Sequence, residues 1–562
     1  MTQVEERTWE DLFVITAQVL LDEGRAALRA GDAERARRAF ESALTEGPSG
    51  DATEGLARAS YLSLDFAAAV DAWCRAYALH RTSDDHVGAV RVARTLSCIY
   101  MMVLGEFAVA KGWLARAQTL LARASDSSER GWVALDVGMF EDNRARKEDH
   151  FHDALIVARE FRDVELELVT LSYLGASLVH ADRTEEGMLL LDESLAAVTG
   201  NEVDDFFVLE EVFCQLFSAC EHAHDVHRAD QWIRIGDVIA QKRNLPAVSA
   251  FCRTHYGGVL TAAGRWPEAD ATLTEAVRLW GLGQRSMLRR GALARLADLR
   301  VRQGRFEEAA ELLSGLDADS DPELARPLAA LRLARGETAL ARDTLERALA
   351  HVDATSSGAA SLLALLVDVH LASGDATNAA AAAEQLATCA AAHHGHYLGA
   401  VAALARGRVC LATGTGEPQT CLREALAGFA RAEMPMELAR ARLELAHALV
   451  GDHPEVAIAE ARSALEAFER LEAARDVDAA AAVLRTLGVS ARTTTHSGEV
   501  LTKREAEVLE LLGHGLTNPE IAERLYISRK TAEHHVGNVL AKLGLRSRAE
   551  AAAFVARNGT RA

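Results

Sequence analysis

Small residues recur at fixed intervals among longer apolar ones along most of the chain. A Gly followed five residues later by Ala appears at Gly31/Ala36, Gly105/Ala110, Gly264/Ala269, Gly304/Ala309, Gly336/Ala341 and Gly374/Ala379. In several copies another Ala follows seven residues on, at Ala43, Ala117, Ala276 and Ala348. Seven residues ahead of the Gly stands a further small residue, Gly24, Gly257, Ala297 or Ala329. Gly175, Asp182 and Gly187 form a variant copy, and Gly407 with Gly414 a partial one. This is the pattern of a helix hairpin. The first small residue lets two helices approach, the Gly takes the left-handed turn, and the paired Ala keep one seam narrow. A hairpin cannot bury its apolar face alone, so copies are expected to stack into a superhelix. The pattern runs from about Ala17 to Leu487 and predicts eleven or twelve hairpins, with residues 201–245 matching it least well. No stretch reads as a succession of strands, so the expected fold class is all-α.

The copy HYGGVLTAAGRWPEADATLTEAVRLW (His255–Trp280) resembles the tetratricopeptide repeat, although Leu or Ala often replaces that family's aromatic positions here. The resemblance implies an α-solenoid. Its concave groove is the expected seat of an unidentified protein or small-molecule effector. The plainer reading of the same array is a scaffold without chemistry.

After Leu487 the helical pattern gives way to GVSARTTTHSGEV (Gly488–Val500), a polar stretch that reads as a linker. Three capping boxes follow: Thr502-x-x-Glu505, Thr517-x-x-Glu520 and Ser547-x-x-Glu550. In each, the hydroxyl and the carboxylate can reciprocally satisfy amides at a helix start. Between the last two boxes lies another helical segment, Ser528 to Leu543, with Ser528 as its cap and Gly544 ending it. A short helix (Pro519–Leu525), a tight turn and a longer helix have the spacing of a helix-turn-helix. Val508, Leu509, Leu512, Ile521, Leu525, Ile527, Val536, Val539, Leu540 and Leu543 are the expected core. The expected organisation is therefore an N-terminal segment (1–16), helical repeats (17–487), a linker (488–500) and a DNA-binding domain (501–562).

LTKREAEVLELLGHGLTNPEIAERLYISRKTAEHHVGNVLAKLGLRSRAEA (Leu501–Ala551) resembles the LuxR-type DNA-binding domain. The resemblance spans the LTxRE start, the turn at Gly515, NxEIAxxL, ISxxT, the HV pair, KLG and SRAEA. It implies four helices, a third helix in the major groove, and a homodimer on inverted half-sites of double-stranded DNA. Helical spacing puts Lys530, Glu533, His534, Gly537 and Ala541 on one face of that helix, opposite the core, where they can meet base edges. Arg529, Thr531, Asn538 and Lys542 flank this face and suit phosphate contacts. Ser528 and the open amides at the helix start are natural phosphate ligands. The family often carries Val and Lys where this chain has Ala532 and Glu533. Glu533 removes a cation from the groove-facing surface; it either accepts from a cytosine N4 or forms a local i,i+4 pair. His535, beside the core residue Val536, is read as structural support in preference to a direct phosphate contact. Glu437 to Gly488 further resembles the junction between repeats and DNA-binding end in large LuxR-type regulators. The ATPase module of those proteins is not found, since no GxxxxGK[ST] loop occurs and LATGTGEPQT (Leu411–Thr420) lacks the lysine.

Charge changes the picture only when divided. The chain of 562 residues carries a net −21, but residues 501–562 hold ten Lys/Arg against seven Asp/Glu, leaving −24 on the rest. An acidic body with a basic end suits a DNA reader. Eight Cys without a CxxC pair suit a reducing compartment. The acidic start MTQVEERTWEDL lacks a secretory pattern. The most apolar stretch, around Ala359–Val367, is short of the ~20 residues of a membrane helix. A cytoplasmic protein without membrane contact is expected. Cys220, His222, His224 and His227, like His393, His394 and His396, do not converge as zinc ligands would from a helix. No metal, cofactor or catalytic constellation emerges, and no enzyme is expected. Two functions remain: a transcription regulator, or an interaction scaffold whose C-terminal domain recruits partners. Salt dependence of DNA affinity separates them.

Overall fold

The computed structural model describes residues 9–200, 202–281, 287–316, 322–393, 395–489, 503–525, 529–542 and 547–558. Among the described residues every regular element is helical. Contacts divide the chain into two compact units, residues 1–467 and 468–562.

The first unit is a tetratricopeptide-like α-solenoid. Helices pair as antiparallel hairpins, beginning with Trp9–Arg29 on Ala33–Thr45 and Gly50–Leu62 on Phe66–Thr82, and continuing to His396–Thr413 on Pro418–Arg431. The turn glycines Gly31, Gly105, Gly264, Gly304, Gly336 and Gly374 all adopt φ between +70° and +80°. Their partners Ala36, Ala110, Ala269, Ala309, Ala341 and Ala379 are all 0% exposed. Helix contacts are close where the small residues stand. A Cβ on Gly257 would lie 2.4 Å from the Leu273 side chain, and one on Gly187 would lie 2.4 Å from the carbonyl oxygen of Gly175.

Several turns without Gly use the same geometry. Leu64, Asp84, Arg162 and His224 stand at φ between +55° and +59°, each directly before an Asp. The following carboxylate accepts from the amide three residues on: Asp65 from Ala68, Asp85 from Gly88, Asp163 from Leu166, and Asp225 from Arg228. Such a cap is worth about 1 kcal/mol, enough to offset part of the left-handed strain.

Residues from the first helices of successive pairs largely line the same interior space. The curl brings distant pairs together: Arg58 meets Asp205, Tyr61 donates to Glu210 Oε1 at 3.0 Å, and Asn244 Nδ2 donates to Gly31 O at 3.2 Å. Farther along, His393 Nδ1 lies 2.8 Å from Asp182 Oδ2 and Arg302 donates to Glu437 at 3.0 Å. Between the first seven pairs the curl forms a cavity of about 480 Å³, and a second of about 800 Å³ lies along the later ones. At the wall of the first, helix His86–Cys98 continues into a π-helical turn, Ile99–Leu104, which presents Met102 and Val103.

One structural result departs from the sequence reading. The 19 residues His86–Leu104 have a mean hydropathy of 1.5 and are long and apolar enough to cross a membrane, which the stretch around Ala359–Val367 is not. Half of the span is buried within the solenoid. Its arginines Arg91 and Arg94 pair with Glu54 and Glu129.

Candidate nucleic-acid interface

The described helices of residues 503–558 are Lys503–Gly513, Asn518–Arg524, Arg529–Lys542 and Arg548–Asn558. Val508, Leu512, Ile521, Ala522, Ala532, Val536, Val539 and Ala551 form their shared buried core, with Leu509, Leu511, Leu516, Leu525 and Leu540 packed against it. Ile527 and Leu543, also expected in the core, lie outside the described residues. Ala522, Ala532 and Ala551 were not foreseen there, because an Ala adds little to a hydrophobic pattern yet fits where helices approach closely.

Local chemistry fixes the helix starts. The Glu520 carboxylate accepts from the Thr517 amide at 2.7 Å and from its hydroxyl at 2.6 Å, and the hydroxyl bond is the main reason its pKa is lowered. Ser547 Oγ accepts from the Glu550 amide at 3.2 Å. Thr502, of the remaining box, lies outside the described residues. Gly515 ends the first helix at φ +80°, where the Leu516 amide returns to Leu511 O at 3.2 Å. Arg548 then ties the fourth helix to the start of the second, donating to Leu516 O and Asn518 Oδ1 at 3.1 Å each. A Cβ on Gly513 would lie 2.6 Å from Val555, so the first and fourth helices touch closely there.

The third helix, Arg529–Lys542, buries Ala532, Val536 and Val539 and half-buries His535 and Leu540. At ~100° per residue, this places positions 530, 534, 537 and 541 on the opposite side of the axis. Positions 531, 538 and 542 fall on one flank, and position 533 on the other with Arg529. Arg529 and Gly537 are exposed, and a Cβ on Gly537 would meet nothing within 4 Å. Ser528 lies outside the described residues, as do the side chains of Lys530, Thr531, Glu533, His534, Asn538 and Lys542.

Residues 499–555 match the family model described as bacterial regulatory proteins, luxR family. The C-terminal segment is a LuxR-type helix-turn-helix domain. Over 59 residues it is 52% identical to the transcriptional regulatory protein LnrK of Bacillus subtilis (strain 168), covering 10% of this chain and 27% of that protein. It is 46% identical over 69 residues to the transcriptional regulatory protein LiaR of the same organism, covering 11% and 33%. A third relative is the oxygen regulatory protein NreC of Staphylococcus aureus (strain JH9), 47% identical over 57 residues, covering 10% and 26%. The chain thus spans about a third or less of the length of these three relatives. Among solved structures, the APC/C hetero-tetramer Cut9-Hcn1 superposes with a TM-score of 0.44 at 14% identity, covering 97% of this chain and 96% of that one. Yeast Tom70 gives 0.24 at 12% identity, covering 85% and 97%.

Residues with ligand chemistry elsewhere are largely engaged by neighbours. His222 lies against His180, with ring centroids 4.5 Å apart and the planes tilted by 45°, and His224 packs edge-on against Tyr397. His393 is held by Asp182 and by Thr355 O, while His394 lies outside the described residues. Asp51, Glu54 and His80 have metal-ligand spacing among the described residues, but Arg91 already binds both carboxylates. A feature missed in the sequence is the acidic lining of the first cavity, including Asp136, Glu210 and Glu211. The signal was present in FFVLEEVFCQLF, two adjacent acids inside an otherwise apolar run.

Proposed function

We propose that the protein is a cytoplasmic transcription regulator. Its C-terminal domain reads the major groove of double-stranded DNA as a homodimer, and the repeats, residues 17–487, sense a small molecule or protein partner. The observation that carries this reading is the LuxR-type domain, in which the third helix buries Ala532, Val536 and Val539 and keeps Gly537 open. A helix anchored on one side is what major-groove readout requires. Lys530, Glu533, His534 and Gly537 are assigned to base edges. Ser528, Arg529, Thr531, Asn538 and Lys542 are assigned to phosphates. A single domain of this size makes few phosphate contacts, so pairing on DNA raises affinity to a useful range. No catalytic step is assigned to the chain. The test is quantitative gel shift of the full chain on fragments of its source genome. Selected fragments bound at least about a thousandfold more tightly than random duplex support specific readout. Equal affinity for all of them contradicts it and favours the recruitment scaffold.

A further inference from the structure

The cavity of about 480 Å³ among the first seven hairpins is lined by nine carboxylates and four arginines. Every one of these arginines already faces a carboxylate. Arg25 pairs with Asp51, Arg58 with Asp205, Arg91 with Glu54, and Arg94 with Glu129. No cationic side chain of the lining is left over to receive an anion.

Three carboxyl groups in the same cavity each accept from a single neutral side chain. Glu210 Oε1 accepts from Tyr61 at 3.0 Å, Glu211 Oε2 from Tyr173 at 2.6 Å, and Asp136 Oδ1 from the Cys98 thiol at 3.4 Å. Asp136 is 2% exposed and Glu210 5%, and their second oxygens, Oδ2 and Oε2, are buried with no hydrogen-bond partner. An unpaired buried carboxylate is strongly unfavourable, because desolvation is not offset by a cation or donors. Burial accordingly pushes Asp136 up to about 7 and, with Glu211 repelling it, Glu210 up to about 8. The lining also has apolar members, Phe207, Phe251, Met102 and Met139.

The second cavity shows that this is not the general condition of the solenoid interior. There Glu221 is bound by Arg295 and His255, and Asp298 by Arg302 and Arg326. Those acids have cations of the chain in direct contact, whereas Asp136, Glu210 and Glu211 of the first cavity are hydrogen-bonded only to a thiol or a phenol.

We propose that the first cavity is the binding site of a small organic cation, an ammonium group on an apolar body, received by Asp136, Glu210 and Glu211. This rests on the reading of the repeats as a sensor and names the ligand class. The ammonium hydrogens donate to the orphaned oxygens, and the apolar body lies against Phe207 and Phe251. Acids that hold protons in the empty cavity lose them to solvent as the cation enters.

Isothermal titration of the full chain with phenethylammonium and spermidine, against phenylpropionate and phenethyl alcohol, tests the proposal without DNA. At least one ammonium probe is expected to bind about tenfold or more tightly than the anion and the alcohol. Its heat should vary with buffer ionisation enthalpy, reporting proton release. Glu210→Gln and Asp136→Asn should each weaken it about tenfold while leaving DNA affinity unchanged. DNA affinity thereby also shows that the variants' C-terminal domain is intact, and the wild-type proton release holds even if a variant fails to fold. No preference for either ammonium probe, or binding that is indifferent to both substitutions, overturns the proposal. Because DNA binding is read separately, that failure leaves the regulator reading standing, whereas loss of specific DNA binding alone leaves the cavity site standing.

Discussion

At the scale of single residues, the solenoid depends on what is missing as much as on what is present. Gly175 and Gly187 let two helix backbones approach until each glycine would place a Cβ within 2.7 Å of the other's carbonyl. Gly187→Ala should lower the stability of the repeat unit by about 2 kcal/mol, since backbone cannot yield as a flexible side chain does. Urea denaturation followed by helical signal checks this, and an unchanged midpoint would show that the contact is slack. The buried acids make a second prediction. Glu210 stands at about 8 against an ordinary value of 4.5, so between these values the native state holds a proton that the unfolded chain has released. Its contribution to stability is therefore complete below about 4.5 and declines as pH rises towards 8. Asp136, raised from 3.8 to about 7, acts in the same sense. Glu210→Gln should flatten the fall in stability between about pH 5 and pH 8, which parallel melts at both pH values measure; a slope matching the parent chain would mean the side chain is solvated.

Elements were legible where one residue type marks them. The Gly-x4-Ala spacing located hairpins because only Gly takes a left-handed turn without strain. The same spacing missed the turns at Leu64, Asp84, Arg162 and His224, where a larger residue takes the glycine's left-handed position ahead of an Asp cap and leaves no small-residue signature. Residues 201–245 matched least well for this reason, since the turns at His224 and Asn244 contain no glycine. In the C-terminal domain, the capping boxes marked helix starts that the structure shows at Asn518 and Arg548. What the sequence did not reveal is the tie between elements, because Arg548 reaches Leu516 and Asn518 from 32 and 30 residues farther along the chain. Arg548→Ala should release the second helix of the domain, speeding amide exchange across Asn518–Arg524 by roughly fivefold, equivalent to about 1 kcal/mol. Exchange at the parent rate would show that Thr517 and Glu520 hold this helix start unaided.

At the scale of the molecule, an acidic solenoid and a basic helix-turn-helix divide the work in the proposed function. The LuxR-type motif was readable because its residues are contiguous and their spacing is that of the helices themselves. The acidic cavity was not, because Asp136 and Glu210 lie on separate hairpins that only the curl of the superhelix brings to one space. The central claim is that the helix Arg529–Lys542 holds DNA through phosphate contacts at its flanks and start. The most direct test is the slope of log affinity against log salt for full-chain binding to a selected fragment, with Lys542→Ala and Arg529→Ala beside the parent chain. The account predicts a steep slope that loses about 0.9 for each phosphate contact removed. A slope near zero, or one that neither substitution changes, would contradict it.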